Sequence, residues 1–215
     1  MKRILCYGDS NTWGHIPADG NRYPADVRWT GIAAAELGSK YRMIEDGLNG
    51  RTTTFDDYYV DFRNGKKGLG YSLSADAPLD LIVISLGTND LKYTGAVGSS
   101  KGLDELLRII TSANAFCPMT GDAVFPGGVK ILVISPIHIH HRIAELRPES
   151  SVADKYEESL KFARYFRAVA EKYHAYFLDA SQYAQPSVKD CVHMEPDAHK
   201  ALGIAIAKKI KEILP

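Results

Sequence analysis

Residues 79–86 read Leu-Asp-Leu-Ile-Val-Ile-Ser-Leu, and residues 129–135 read Val-Lys-Ile-Leu-Val-Ile-Ser. Their apolar stretches are continuous rather than alternating, so they do not suit a sheet with one wet face. Runs of this kind belong to strands buried on both sides, in a parallel sheet held between helices. Shorter apolar stretches at 4–7, 41–45 and 176–178 bring the expected strands to five. Helix-period segments are expected at 26–37, 102–115, 152–173 and 198–214. In the third, Val152, Tyr156, Leu160, Ala163, Phe166, Ala170 and Tyr173 step by three or four residues and form one stripe. In the fourth, Leu202, Ile206, Ile210 and Ile213 share a face. Strands interleaved with helices predict a doubly wound α/β sandwich around a five-stranded parallel sheet. Segments 55–74 and 116–128 break the rhythm and are expected to be long loops near the functional edge of the sheet. The 215 residues are enough for one substantial core, so a single domain over 1–215 is expected.

Charge narrows the partners. Twenty-six Lys and Arg balance twenty-six Asp and Glu, which argues against broad nucleic-acid binding, since that depends on excess positive charge. No run approaches the length of a membrane-spanning helix, so no membrane partner is expected. The first residues enter a strand pattern without a long apolar stretch or small-residue cleavage site, unlike a signal peptide. Three cysteines, Cys6, Cys117 and Cys191, form no C-x-x-C pair. An odd number without that motif suits a reducing compartment, and a cytoplasmic location is expected.

Polar clusters fall where the strands end: Gly8-Asp9-Ser10-Asn11, Gly47-Leu48-Asn49-Gly50 and Gly87-Thr88-Asn89-Asp90. In a parallel sheet these ends share one rim. A fourth cluster, Asp190-Cys191-Val192-His193, precedes the last helix. Ser10 at a strand-to-helix junction suits a nucleophile, because free N–H groups and the helix dipole favour negative charge there. An attacking serine needs an imidazole to take its proton, and that imidazole needs a carboxylate to fix its tautomer. His193 and Asp190 can supply these. Gly50 lets a carbonyl oxygen approach its N–H closely, and Asn89 can add a side-chain donor. Asp9 and Asp90 are expected to hold loops rather than react. Trp13 and His138 are candidates for lining the substrate pocket. Trp29 should be core, and Cys191 should pack as a small apolar residue. His199 should lie on the surface, and Lys208, Lys209 and Lys211 should be a solvated helix end. His138 and His140 could face one cleft, but no Cys, Asp or Glu stands close to them, so no metal is expected.

The four ordered blocks resemble those of the SGNH (GDSL-type) hydrolase superfamily. The stretches Arg3-Ile4-Leu5-Cys6-Tyr7-Gly8-Asp9-Ser10-Asn11-Thr12-Trp13-Gly14, Asp26-Val27-Arg28-Trp29-Thr30-Gly31 and Gly47-Leu48-Asn49-Gly50-Arg51-Thr52-Thr53 resemble its arylesterase/acyltransferase branch. The resemblance implies a flavodoxin-like three-layer sandwich, no cofactor, and hydrolysis of small-molecule esters. It also implies homo-oligomers and some acyl transfer to alcohols. Carried over, it makes Ser10 nucleophile and oxyanion donor, with Gly50 and Asn89 completing the hole, His193 the base and Asp190 its partner. The segment between Asp56 and Pro78 does not match the branch. Alternatives are a carbohydrate deacetylase with the same triad and a catalytically silent binding module. The missing G-x-S-x-G argues against an ordinary α/β-hydrolase. A nucleotide-binding protein is disfavoured because the loop after the first strand lacks a Lys or a run of Gly.

Overall fold

Successive side chains of a strand point to opposite faces, and on β1 (Lys2–Gly8) both faces are dry. Ile4 and Cys6 enter one apolar cluster, while Leu5 and Tyr7 enter the other. The chain continues through α1 (Ser10–Trp13), α2 (Trp29–Leu37), β2 (Tyr41–Gly47), α3 (Gly65–Asp76), β3 (Leu81–Ser85), α4 (Ala96–Thr111) and α5 (Ala113–Phe116). It closes with β4 (Ile131–Ser135), α6 (Ile143–Leu146), α7 (Tyr156–Ser159), α8 (Phe162–Lys172), β5 (Tyr176–Asp179) and α9 (Pro196–Ile213). This computed structural model describes residues 1–116 and 123–215. Cys117 and the other members of 117–122, within the long loop expected at 116–128, lie outside the described residues.

The five strands run parallel in the order β2-β1-β3-β4-β5, the α/β sandwich that the continuous apolar runs predict. Trp29 and Ala33 of α2 pack with Leu202, Ile206 and Ile210 of α9 over Ile4, Cys6, Leu81 and Val83. On the other face Leu69, Leu103, Leu106, Phe162 and Phe166 pack over Leu5, Ile82, Ile84 and Val133. Each such side chain, wholly buried, contributes roughly 1.5–3 kcal/mol. In register, Gly8 pairs with Gly47 on one side and Ser85 on the other, so β1, β2 and β3 end level. No helix among the described residues is long and apolar enough to cross a membrane.

Three expectations need correction. Part of the segment 55–74 is helical: α3 starts at Gly65, where the Asn64 side chain accepts the Lys67 N–H, and it buries Leu69 and Leu73. Three glycines in that helix, Gly65, Gly68 and Gly70, hide it because glycine is a poor helix former. The single helix expected at 152–173 is two, α7 and α8. Ser159 causes the break: its buried hydroxyl donates to the Tyr156 carbonyl at 2.6 Å and accepts from Ile139 N at 3.1 Å, competing with the helical ladder. Phe162, Phe166 and Ala170 still keep the apolar stripe, and Leu160 turns outward. Finally, His199 is fully buried rather than exposed. Its Nδ1 accepts the N–H of Trp29 at 3.3 Å, the first residue of α2, whose N-cap Arg28 offers no side-chain bond.

Candidate active site

Level strand ends bring Ser10, Gly50 and Asn89 to one rim, and a turn from the far end of the chain meets them. Asp9 caps α1 by accepting the Asn11 N–H at 3.0 Å, which places Ser10 on the first helical turn. Ser10 Oγ lies 2.8 Å from His193 Nε2, and His193 Nδ1 lies 2.8 Å from Asp190 Oδ2. The turn holding the latter pair is compact. Asp190 Oδ1 accepts the N–H groups of Val192 and His193, and Cys191 takes a left-handed φ of 69°. Its backbone is gripped from both sides, since Cys191 N donates to Ser187 O and His140 N donates to Cys191 O, each at 2.9 Å. The Cys191 side chain is buried.

Burial alone would raise the Asp190 carboxyl. The hydrogen bond and charge of His193, with the two backbone N–H groups, outweigh it and hold that carboxyl well below the usual range. It is therefore ionised at neutral pH and favours a proton on His193 Nδ1.

Among the described residues, the amides of Ser10 and Gly50 have no hydrogen-bond acceptor. Asn89 donates one Nδ2–H to Arg51 O at 3.2 Å and has a second to offer. Gly50 adopts φ +81°, the left-handed region that favours glycine, and a Cβ there would press on the Arg63 guanidinium. Asp90 binds the second block to the third: it accepts Thr53 N–H, Thr53 O–H and Ser99 O–H, each at 2.7 Å. Burial pushes both Asp9 and Asp90 up to about 6.

A cavity of about 320 Å³ opens over Ser10, Asn89 and His193. Trp13, His138 and Gly50 are not among its lining residues. Trp13 lies beside His15 and under the Arg22 guanidinium. His138 is half-buried and feels the charge of Asp179. Several residues of this region escape sequence reasoning. His15 lies against His193 with ring centroids 4.1 Å apart and planes tilted by 33°, and burial, then the charge of His193, lowers its pKa. Asn11 reaches the other end of the chain, accepting Met194 N–H and donating to Val192 O. Arg51 donates to Gly8 O and to Asp46, tying β1 to β2. Lys92, Arg147 and Glu149 line the cavity. Asn11 and Arg51 stand inside the sequence blocks and His15 lies just past the first; Lys92, Arg147 and Glu149 carry no comparable signal.

Among the described residues, one group of ligating side chains has its atoms within 4.8 Å of one another: His15, Asp190 and His193. His193 and Asp190 already contact each other, and His193 also contacts Ser10. His138 and His140 belong to no such group.

The sequence pattern of a family described as GDSL-like Lipase/Acylhydrolase matches residues 6–201. Among solved structures, the chain is similar to Est24, a carbohydrate acetylesterase from Sinorhizobium meliloti, at 31% identity and TM-score 0.91 with both chains fully covered. It is similar to an aryl esterase of M. smegmatis at 32% identity and TM-score 0.90, again over the whole of both. A carbohydrate acetylesterase family member from Sinorhizobium meliloti gives 32% identity and TM-score 0.86, covering 100% of this chain and 99% of that one. No curated protein matches in sequence.

Proposed function

This chain belongs to the GDSL-like lipase/acylhydrolase family and is a carboxylic ester hydrolase; from that premise we propose that it cleaves small acetyl and aryl esters through Ser10, His193 and Asp190. Ser10 Oγ attacks the ester carbonyl as His193 Nε2 takes its proton, and Asp190 steadies the imidazolium that results. The N–H groups of Ser10 and Gly50 and the Asn89 amide receive the charge on the tetrahedral oxygen, each such donor being worth roughly 2.7–4 kcal/mol. His193 then protonates the leaving alcohol, and an acyl group remains on Ser10. Water, activated by the same imidazole, releases the acid, and a second alcohol in place of water gives acyl transfer.

The observation that supports this reading is the unbroken line from Asp190 Oδ2 through His193 to Ser10 Oγ, at 2.8 Å and 2.8 Å. Ser10→Ala should lower kcat on a chromogenic acetate ester by roughly 10⁴-fold or more. Turnover near the wild-type value would refute the assignment. A carbohydrate acetyl ester as substrate is the second reading, favoured by the similarity to Est24 and by a cavity lined mainly with polar side chains. Parallel rates on acetylated sugars and p-nitrophenyl esters separate the two.

We also read residues 1–215 as one domain, placed in a reducing compartment where the buried thiols of Cys6 and Cys191 stay unpaired. Self-association is supported by the exposed rings of Tyr58, Tyr59, Phe62 and Tyr71 beside a groove of about 800 Å³.

A further inference from the structure

The cavity over Ser10 contains one cation that makes no ion pair or hydrogen bond among the described residues. Lys92 ends the short helical turn Thr88–Lys92 that carries Asn89, and its half-buried side chain lines the cavity. Among the described residues it has no ion-pair or hydrogen-bond partner, although Asp57, Asp9 and Asp90 are close enough for their charges to act on it. All three are committed elsewhere. Asp57 pairs with Arg63 at 2.8 Å, Asp90 accepts three donors, and Asp9 accepts the Asn11 N–H. Burial, and then the charge of Arg63, lower the lysine's pKa. Arg147 Nε meets Glu149 at 2.6 Å, and Asp190 is hydrogen-bonded to the His193 ring. The Lys92 ammonium is thus withdrawn from water with no acceptor in contact, which is costly unless a ligand supplies one.

We propose that Lys92 determines specificity by receiving a carboxylate carried on the substrate, so that small esters bearing such an anion are preferred. This rests on the esterase reading above. An ammonium–carboxylate hydrogen bond in a sheltered site is among the stronger polar contacts. A cavity of about 320 Å³ admits a short chain only. Among its lining residues only Val152 and Val192 are aliphatic.

The carboxylate could sit on the acyl or the alcohol side, and two matched pairs distinguish these. They are p-nitrophenyl hemiglutarate against p-nitrophenyl valerate, and 4-acetoxybenzoate against its methyl ester. In the wild type, kcat/KM should favour the charged member of at least one pair by about tenfold or more. Lys92→Met should bring that ratio to within about threefold of one, and Lys92→Arg should retain part of the preference. No preference in either pair, or a preference that survives Lys92→Met, overturns the proposal while leaving the esterase reading intact. Absence of hydrolysis of all four esters overturns both. Should Lys92→Met not fold, the wild type decides: glutarate should inhibit neutral-ester hydrolysis competitively, with Ki at least about tenfold below that of glutaramide and rising with salt. Equal inhibition overturns it.

Discussion

Buried inside the interface of α2 and α9, His199 loses its ordinary basicity: burial, then the charges of His193 and Arg28, bring its pKa down to about 4. Unfolded, it would titrate near 6.5. Between pH 6.5 and 4 the unfolded chain therefore takes up a proton that the folded chain refuses, and stability falls as the pH drops through that window. His199→Gln should flatten the fall by up to about 3 kcal/mol. Equal slopes for wild type and variant between pH 7 and 4, by denaturant melts, would refute it. Asp9 and Asp90, raised to about 6, act with the opposite sign and are common to both proteins. Asn11 gives a second prediction. Asn11→Ala removes the side chain that ties the Met194 N–H to the turn of Ser10, so His193 should lose its fixed distance to Ser10. We expect kcat on a p-nitrophenyl ester to fall about 10- to 100-fold with KM little changed; an unchanged kcat would show the tie to be dispensable. At this scale the three-residue step from Asp190 to His193 is legible, because one turn suffices to join them. His199 reads as a surface residue at the start of a helix, and its burial is missed although 199 shares a stripe with Leu202 and Ile206. The roles of Lys92, Arg51 and Asn11 are not legible, because their partners depend on which distant loop packs against which.

Elements show the same division. The long runs of β3 and β4 announce themselves because both faces are apolar, whereas α3 is masked by its glycines and α7 is cut from α8 by one hydroxyl. The start of α4 at Ala96, six residues before the expected boundary, depends on a neighbour: Glu158 in α7 accepts the Ala96 N–H at 2.9 Å and serves as the cap that Gly95 cannot provide. Glu158→Ala should destabilise the protein by about 1 kcal/mol, a drop in Tm of roughly 2–4 °C for a chain of this size. Glu158→Gln, which keeps an acceptor oxygen, should recover part of the loss in calorimetry. Equal Tm values for wild type and Glu158→Ala would mean that water satisfies the amide as well.

Across the whole molecule, the exposed rings of Tyr59 and Phe62, 95% and 90% accessible, support the self-association proposed above. Tyr59→Ser with Phe62→Ser should shift sedimentation velocity profiles toward the monomer without changing the circular dichroism spectrum. An unaltered distribution would place any contact between copies elsewhere. Nothing in residues 55–64 suggests this in advance, since a run of Asp and Tyr reads as ordinary loop.

The hydroxyl of Ser10 and the imidazole it touches are separated by 183 positions in the chain. During synthesis Ser10 leaves the ribosome before β2 to β5 are made, while His193 is translated only after β5. Under the proposed triad, a polypeptide cut short before residue 193 would display an inert alcohol, and hydrolysis would wait for the turn that carries the imidazole.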